Sequence, residues 1–322
     1  MKAFFHHIAR IVLASSILLA SCGGGGDAQA AQPAFTGKSG DFTKTISVAG
    51  VSRRFLLHVP TSYNSAQPMS AVLLFHGGQG SAASIGRITS SSGSGFSGFA
   101  SQKNFIAIYP DSVNGTWDDG RATITNKTND VAFTAAILDA LVLEYNIDAK
   151  RIYAAGISNG GMLTQRLACE LPGRFAAVAS VVANLPSDIQ ASCNPSPALP
   201  IAIFSGDADP LMPYAGGSVA GVFGGNVLFT TATVAFWAAK NSVSLSSTIT
   251  LPDTDLTDGS TTDLLSYTGT GRGEVAFYRS KGGGHAWPGG TQYTFVSVIG
   301  KVVKDFSANE AMWAFFSRHA KH

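Results

Sequence analysis

A mainly parallel β-sheet with helices on both faces is the architecture this sequence predicts, and three observations carry it. From about residue 70 onwards, short apolar runs of strand length alternate with stretches of helical spacing, the pattern of repeated strand–helix–strand units. Runs such as 71–75 and 105–109 are apolar throughout rather than alternating, as a strand buried on both faces requires. One run, 151–157, ends in Gly156-Ile-Ser-Asn-Gly160 and leads straight into helical spacing through Met162, Leu163, Arg166 and Leu167.

In chain order, residues 1–21 carry Lys2 and Arg10 ahead of the apolar run 11–20, which is too short to span a bilayer and has the make-up of a secretory signal. It ends in Leu19-Ala-Ser-Cys22, which resembles the bacterial lipobox. Cys22 is therefore expected to be lipidated and to anchor an exported protein to the cell envelope. Residues 22–40, with Gly23 to Gly26 directly after the cysteine, would form a flexible tether. Gly23 stands where a retention signal would place Asp, which favours the outer membrane. Residues 41–322 then read as one domain.

Within that domain, 43–48 and 53–59 have the look of an antiparallel pair, the second stopped by Pro60. The strands 71–75 and 105–109 follow. A helix over 130–145 has Asp130 at its cap position and apolar residues at Ile137, Leu138, Leu141, Val142 and Tyr145. After the strand at 151–157 and its helix come strands at 177–182 and 200–204, a helix over 229–240 and a strand at 274–278. The last helix opens on Ser307-Ala-Asn-Glu310, a capping box. Trp237 and Trp313 fall at helical spacing and are expected in the core.

Hydrophobic residues are 45% of the chain, which excludes a disordered protein, and a formal net charge of +2 with 13% charged residues leaves no basic patch for nucleic acid. With Cys22 assigned to the lipid, Cys169 and Cys193 are left as a pair. In an exported chain they are expected to form a disulfide.

Functional residues in such a sheet gather at the C-terminal ends of the strands. The turn after 151–157 is a nucleophile elbow: small residues at Gly156 and Gly160 let strand and helix approach, and the turn lifts Ser158 clear of the sheet. A serine hydroxyl is a weak nucleophile that needs an imidazole, and the imidazole needs a carboxylate to fix its tautomer. Of the histidines downstream of the elbow, His319 and His322 stand at the C-terminus and only His285 lies on a glycine-flanked loop, after 274–278; His76 precedes the elbow and is expected to brace its own loop. Asp207 and Asp209 both follow 200–204. Asp209 is preferred as the acid because Pro210 pins its backbone, with Asp207 expected to cap the turn by bonding its own backbone. The oxyanion hole is expected from the amide of Asn159 and one amide of the His76-Gly-Gly-Gln79 loop, either Gly78 or Gln79. Trp117 and Trp287, near strand ends, are expected to wall a substrate pocket.

Four segments carry a family resemblance: His76-Gly-Gly-Gln-Gly-Ser-Ala-Ala, Gly156-Ile-Ser-Asn-Gly-Gly-Met, Gly206-Asp-Ala-Asp-Pro-Leu-Met-Pro-Tyr214 and Gly282-Gly-Gly-His-Ala-Trp-Pro-Gly289. Together they resemble the esterases of the poly(3-hydroxybutyrate) depolymerase family, a group close to the feruloyl and acetylxylan esterases of the first carbohydrate-esterase family. The resemblance implies an α/β-hydrolase fold, Ser158 as nucleophile, Asp209 as acid, His285 as base, and neither metal nor organic cofactor. Such depolymerases usually carry a linker and a polymer-binding domain, and neither is visible in this sequence, so small or oligomeric esters of hydroxyalkanoate or aryl/acyl type are expected as substrates. The alternatives are a feruloyl or acetylxylan esterase acting on plant polysaccharide, and a surface-anchored binding protein on a degenerate hydrolase fold.

Overall fold

Strands buried on both faces occupy the middle of a ten-stranded sheet, and more polar, more exposed ones lie at its edges. The structure, a computed structural model, describes residues 35–90, 93–221 and 224–321. The expected signal at 1–21, Cys22 and most of the expected tether lie outside the described residues. In chain order the strands are β1 (Gly40–Val48), β2 (Val51–Val59), β3 (Met69–Phe75), β4 (Phe105–Pro110), β5 (Ile147–Ile157), β6 (Ala177–Val181), β7 (Ile201–Gly206), the two-residue β8 (Gly217–Ser218) and β9 (Asn226–Val227), β10 (Ser244–Thr250), β11 (Thr261–Thr268) and β12 (Val275–Lys281). The large sheet runs β1-β2-β4-β3-β5-β6-β7-β12-β11-β10, and β8 pairs with β9 apart from it. From β4 to β12 every neighbour is parallel, whereas β1-β2-β4 and β12-β11-β10 are antiparallel.

The helices are α1 (Ala82–Ile88), α2 (Gly95–Lys103), α3 (Asp130–Glu144), α4 (Asn159–Glu170), α5 (Thr230–Lys240), the short α6 (Val296–Ile299) and α7 (Ala308–Phe316). Successive side chains of a strand point to opposite faces, and β3 shows the consequence. Its Ala71, Leu73 and Phe75 join a core with Phe133 and Ile137 of α3, Leu163 of α4 and Trp237 of α5. Its Val72 and Leu74 join a second core with Ile85 of α1, Phe96 of α2 and Met312 of α7. Both faces are covered, so β3 has no polar side to show.

Several boundaries differ from expectation. The cap of α3 is Asn129, whose side chain accepts from the Ala132 amide, rather than Asp130. The Asp130 carboxylate is buried instead, taking a 2.6 Å bond from Arg53 and one from the Asp118 amide. At α7 the Ser307 hydroxyl accepts from the Glu310 amide, but Glu310 pairs with Lys103 at 2.9 Å rather than closing the capping box. Packing also begins before residue 41, since the Gly37 amide donates to the carbonyl of Glu144. The edge hairpin β10–β11 was not expected. β10 is the Ser- and Thr-rich segment SLSSTIT, exposed along its whole length, and carries no apolar alternation to announce a strand. Trp237 is fully buried, and Trp313 stacks on Phe105 with ring centroids 4.7 Å apart.

Cys169, near the end of α4, is disulfide-bonded to Cys193 across 24 residues, with Cα atoms 4.9 Å apart. Closing a loop of that length stabilises the fold by about 3 kcal/mol, chiefly by restricting the unfolded chain. It ties the helix behind Ser158 to the loop that precedes β7.

Candidate active site

Ser158 sits between β5 and α4 with φ 55° and ψ −123°, a conformation that costs a side-chain-bearing residue about 1–3 kcal/mol unless its surroundings hold it. They do so from both sides. The Ser158 amide donates to Val181 of β6, and its carbonyl accepts from Met162 in the first turn of α4. A side chain at Gly156 would put its Cβ 2.3 Å from the Gly160 carbonyl oxygen, and one at Gly160 would lie 2.3 Å from the carbonyl oxygen of His76. The two glycines let the strand before the serine, the helix after it and the loop after β3 meet at one point. The hydroxyl of Ser158 is not used as a helix cap, which leaves it for the cavity it lines.

His285 follows β12 and is 4% exposed. Its Nδ1 lies 2.7 Å from Oδ2 of Asp209, in the loop after β7. Since the carboxylate accepts, Nδ1 carries the proton and Nε2 is left as the ring's acceptor. The other Asp209 oxygen accepts from the amides of Leu211 and Met212, both at 2.8 Å, so the carboxylate is fixed at both ends. His285 is also fixed through its backbone: its amide donates to Ile299, and the Tyr293 hydroxyl donates to its carbonyl at 3.0 Å. Burial, with nearby Asp209, pushes the Tyr293 phenol up to about 12, so it stays a donor through the neutral range. Asp207, expected to bond its own backbone, instead accepts from the Gly282 amide at 2.7 Å. It thereby ties the loop carrying Asp209 to the loop carrying His285.

The choice between Gly78 and Gln79 is decided by what each amide already does. Gln79 has φ 61° and its amide donates to the Gly115 carbonyl at 2.7 Å, so it is spent on bracing the loop. Gly78 lines the cavity beside Ser158, and at the preceding Gly77 a Cβ would lie 3.4 Å from that of Ser158. The Asn159 amide belongs to the first turn of α4 and has no carbonyl one turn earlier to bond. Of the three amides expected at an oxyanion hole, Gly78 and Asn159 are thus the two without such a commitment. His76 is buried, donates from Nδ1 to the Gly77 carbonyl at 2.7 Å and accepts the Ser112 amide at Nε2 at 3.2 Å. Burial pushes its pKa down, in keeping with a neutral ring used as a brace.

Trp117 and Trp287 do not wall the cavity. Both are fully buried. The Trp117 indole donates to the His76 carbonyl at 2.8 Å, and the Trp287 indole to the Asn309 side chain at 2.9 Å. A tryptophan beside a strand end reads the same in sequence whether its ring faces the cleft or the layer beneath, and here each N–H finds its partner inside the protein. The walls of the cavity, about 460 Å³, are supplied instead by Ile85, Ile88, Met162, Leu211, Tyr293 and Val298. These come from α1, α4, α6 and the loops after β7 and β12, and no local motif announces them. Among the described residues no group of three or more His, Cys, Asp or Glu side chains is arranged to hold a metal ion.

The prolyl oligopeptidase family model matches residues 100–188, which include the elbow. A putative esterase, NocK, of Nocardia uniformis subsp. tsuyamanensis is 34% identical over 55% of this chain and 51% of its own length. Acetylxylan esterase A of Emericella nidulans is 38% identical over 27% of this chain and 30% of its own length, and feruloyl esterase B of Piromyces equi is 28% identical over 59% and 35%. The chain therefore spans about half the length of the first of these relatives and about a third of the other two. Over most of the molecule the likeness is to a solved acetyl xylan esterase of Aspergillus awamori, at 16% identity and a TM-score of 0.58, covering 86% of this chain and 99% of that one. The parallel sheet, the helices on both its faces and this likeness identify the fold as that of the α/β-hydrolases.

Proposed function

We propose that the protein hydrolyses carboxylic esters through an acyl-enzyme. The observation that carries this reading is that Ser158, on its strained turn, and His285, backed by Asp209 at 2.7 Å, line one cavity. Ser158 Oγ attacks the ester carbonyl while His285 Nε2 takes its proton. The Asn159 and Gly78 amides stabilise the oxyanion, and His285 returns the proton to the departing alcohol. Water then attacks the acyl-serine by the same route and frees the acid. A largely aliphatic wall with Tyr293 at one side suits small acyl or aryl groups. The relatives named as acetylxylan and feruloyl esterases favour acetyl and feruloyl esters of plant polysaccharide over hydroxyalkanoate oligomers.

The test sets p-nitrophenyl acetate, methyl ferulate and 3-hydroxybutyrate oligomers side by side, with mass spectrometry of the protein after treatment with a fluorophosphonate. Hydrolysis with acetyl or feruloyl esters preferred, and one adduct at Ser158, is the expected result. No turnover of any ester and no adduct would sink the reading and promote a non-catalytic binding role. The reading extends to location: the Leu19-to-Cys22 sequence and the disulfide support an exported, lipid-anchored protein. An intact mass of the mature chain that starts at Cys22 and carries acyl groups is expected; an unmodified N-terminus further along would remove the anchor from the proposal.

A further inference from the structure

The segment between Trp117 and Arg121 is buried charge with no direct place in the steps above. Asp119 and Arg121 are 0% and 1% exposed and form an ion pair at 2.8 Å. The Arg121 Nε also donates to both carboxylate oxygens, at 3.0 and 3.1 Å, and its Nη1 donates to the Gly224 carbonyl. An isolated buried pair of this kind is weak evidence for stability, because desolvation offsets much of its attraction and apolar residues of similar volume often serve as well. Its third partner suggests another role. Asp119 Oδ2 accepts a 2.6 Å bond from Nδ2 of Asn159, the residue next to the nucleophile.

The Asn159 side chain is held on every polar atom. Oδ1 accepts the Trp117 amide at 2.8 Å, and Nδ2 also donates to the Trp117 carbonyl at 3.1 Å. Trp117 in turn holds the other loop that lines the cavity here, since its indole donates to the carbonyl of His76, just before Gly77 and Gly78. Through backbone and side chains, the segment 117–121 thus grips both places from which an oxyanion amide would be offered. The separation of those amides governs how well they fit an oxyanion rather than a ground-state carbonyl.

We propose that Asp119, held by Arg121, is a positioning residue of the oxyanion hole that acts through the side chain of Asn159. This inference rests on the ester-hydrolase reading. Substituting the side chain of Asn159 leaves its backbone amide in place but releases it from the grip, so the transition state should suffer more than the bound ester.

The test compares the unsubstituted protein with Asn159→Ala, Asp119→Asn and the double variant on a soluble p-nitrophenyl ester. Affinity for a trifluoromethyl ketone, which forms a tetrahedral adduct on the serine, is measured in each. Displacing a donor should cost less than the about 100- to 1000-fold that deleting one costs, so each single variant is expected to lose about 10- to 100-fold in kcat. KM should change by less than about threefold, and ketone affinity should fall in step with kcat/KM. The double variant should be no worse than Asn159→Ala, because Asp119 acts only through the side chain that Asn159→Ala already removes. If Asp119→Asn does not fold, Asn159→Ala with the ketone decides alone. An active protein in which Asn159→Ala keeps its kcat, or loses thermal stability while ketone affinity is retained, overturns the inference and leaves the ester-hydrolase reading intact. An unsubstituted protein that turns over no ester overturns both.

Discussion

Alanine at position 158 is expected to lower ester hydrolysis by about 10⁴- to 10⁶-fold, leaving only what binding and the oxyanion amides supply. The loss should fall on kcat, since the hydroxyl is needed to form the acyl-enzyme but contributes little to holding the ester. The fold should not register the change. The Ser158 hydroxyl makes no cap bond with α4, so its removal breaks no structural contact there. Alanine meets the same backbone strain at φ 55° that serine meets. Thermal unfolding within about 2 °C of the unsubstituted protein, beside the loss of hydrolysis and of fluorophosphonate labelling, is the expected result. A Ser158→Ala protein that keeps a tenth of the activity would mean that the chemistry is done elsewhere. An equal loss in a protein that has unfolded would say nothing for the serine.

The elbow was legible in the sequence because its constraints are local. Strand, turn and helix are consecutive, and the glycines are required by backbone atoms within a few residues or in the adjoining loop. The Asp209–His285 pair was legible for a related reason: strand order dictates which loops meet at the top of a parallel sheet, and few titratable residues stand on those loops. What stayed hidden depends on the direction of a side chain or on what an amide already bonds. Gln79 and Gly78 are equivalent in sequence, and only the Gly115 carbonyl, from a loop more than thirty residues away, removes Gln79 from the reckoning. Trp117 and Trp287 are placed correctly along the chain but turned inward by acceptors at His76 and Asn309. Asp119 and Arg121 belong to no motif in the sequence, and their burial follows from packing against Asn159 and the Gly224 carbonyl. The edge strand β10 went unseen because a segment of Ser and Thr exposed along its whole length needs no apolar pattern.

Alanine at position 160 is expected to damage the fold severely for so small a change. Gly160 lies in the first turn of α4, where alanine would by itself favour the helix by up to about 1 kcal/mol. Against that gain stands an added Cβ 2.3 Å from the His76 carbonyl oxygen and 2.5 Å from that of Phe75. Both obstacles are backbone at the end of the central strand β3, so neither can rotate away as a long side chain would. Relief requires α4 to move off the sheet, and overpacking of this kind costs about 3 kcal/mol or more, which exceeds the propensity gain. The movement would also carry the Asn159 amide and Ser158 away from Gly78, so activity should fall in whatever fraction remains folded. Gly173 supplies the comparison: an added Cβ there meets nothing within 4 Å, and Gly173→Ala should be neutral or stabilise by a few tenths of a kcal/mol, about the lower range for such substitutions. Urea midpoints and kcat for the two variants decide the matter. If Gly160→Ala unfolds at the same urea concentration as Gly173→Ala, the close approach of helix, strand and loop at the elbow is not what holds Ser158 in place.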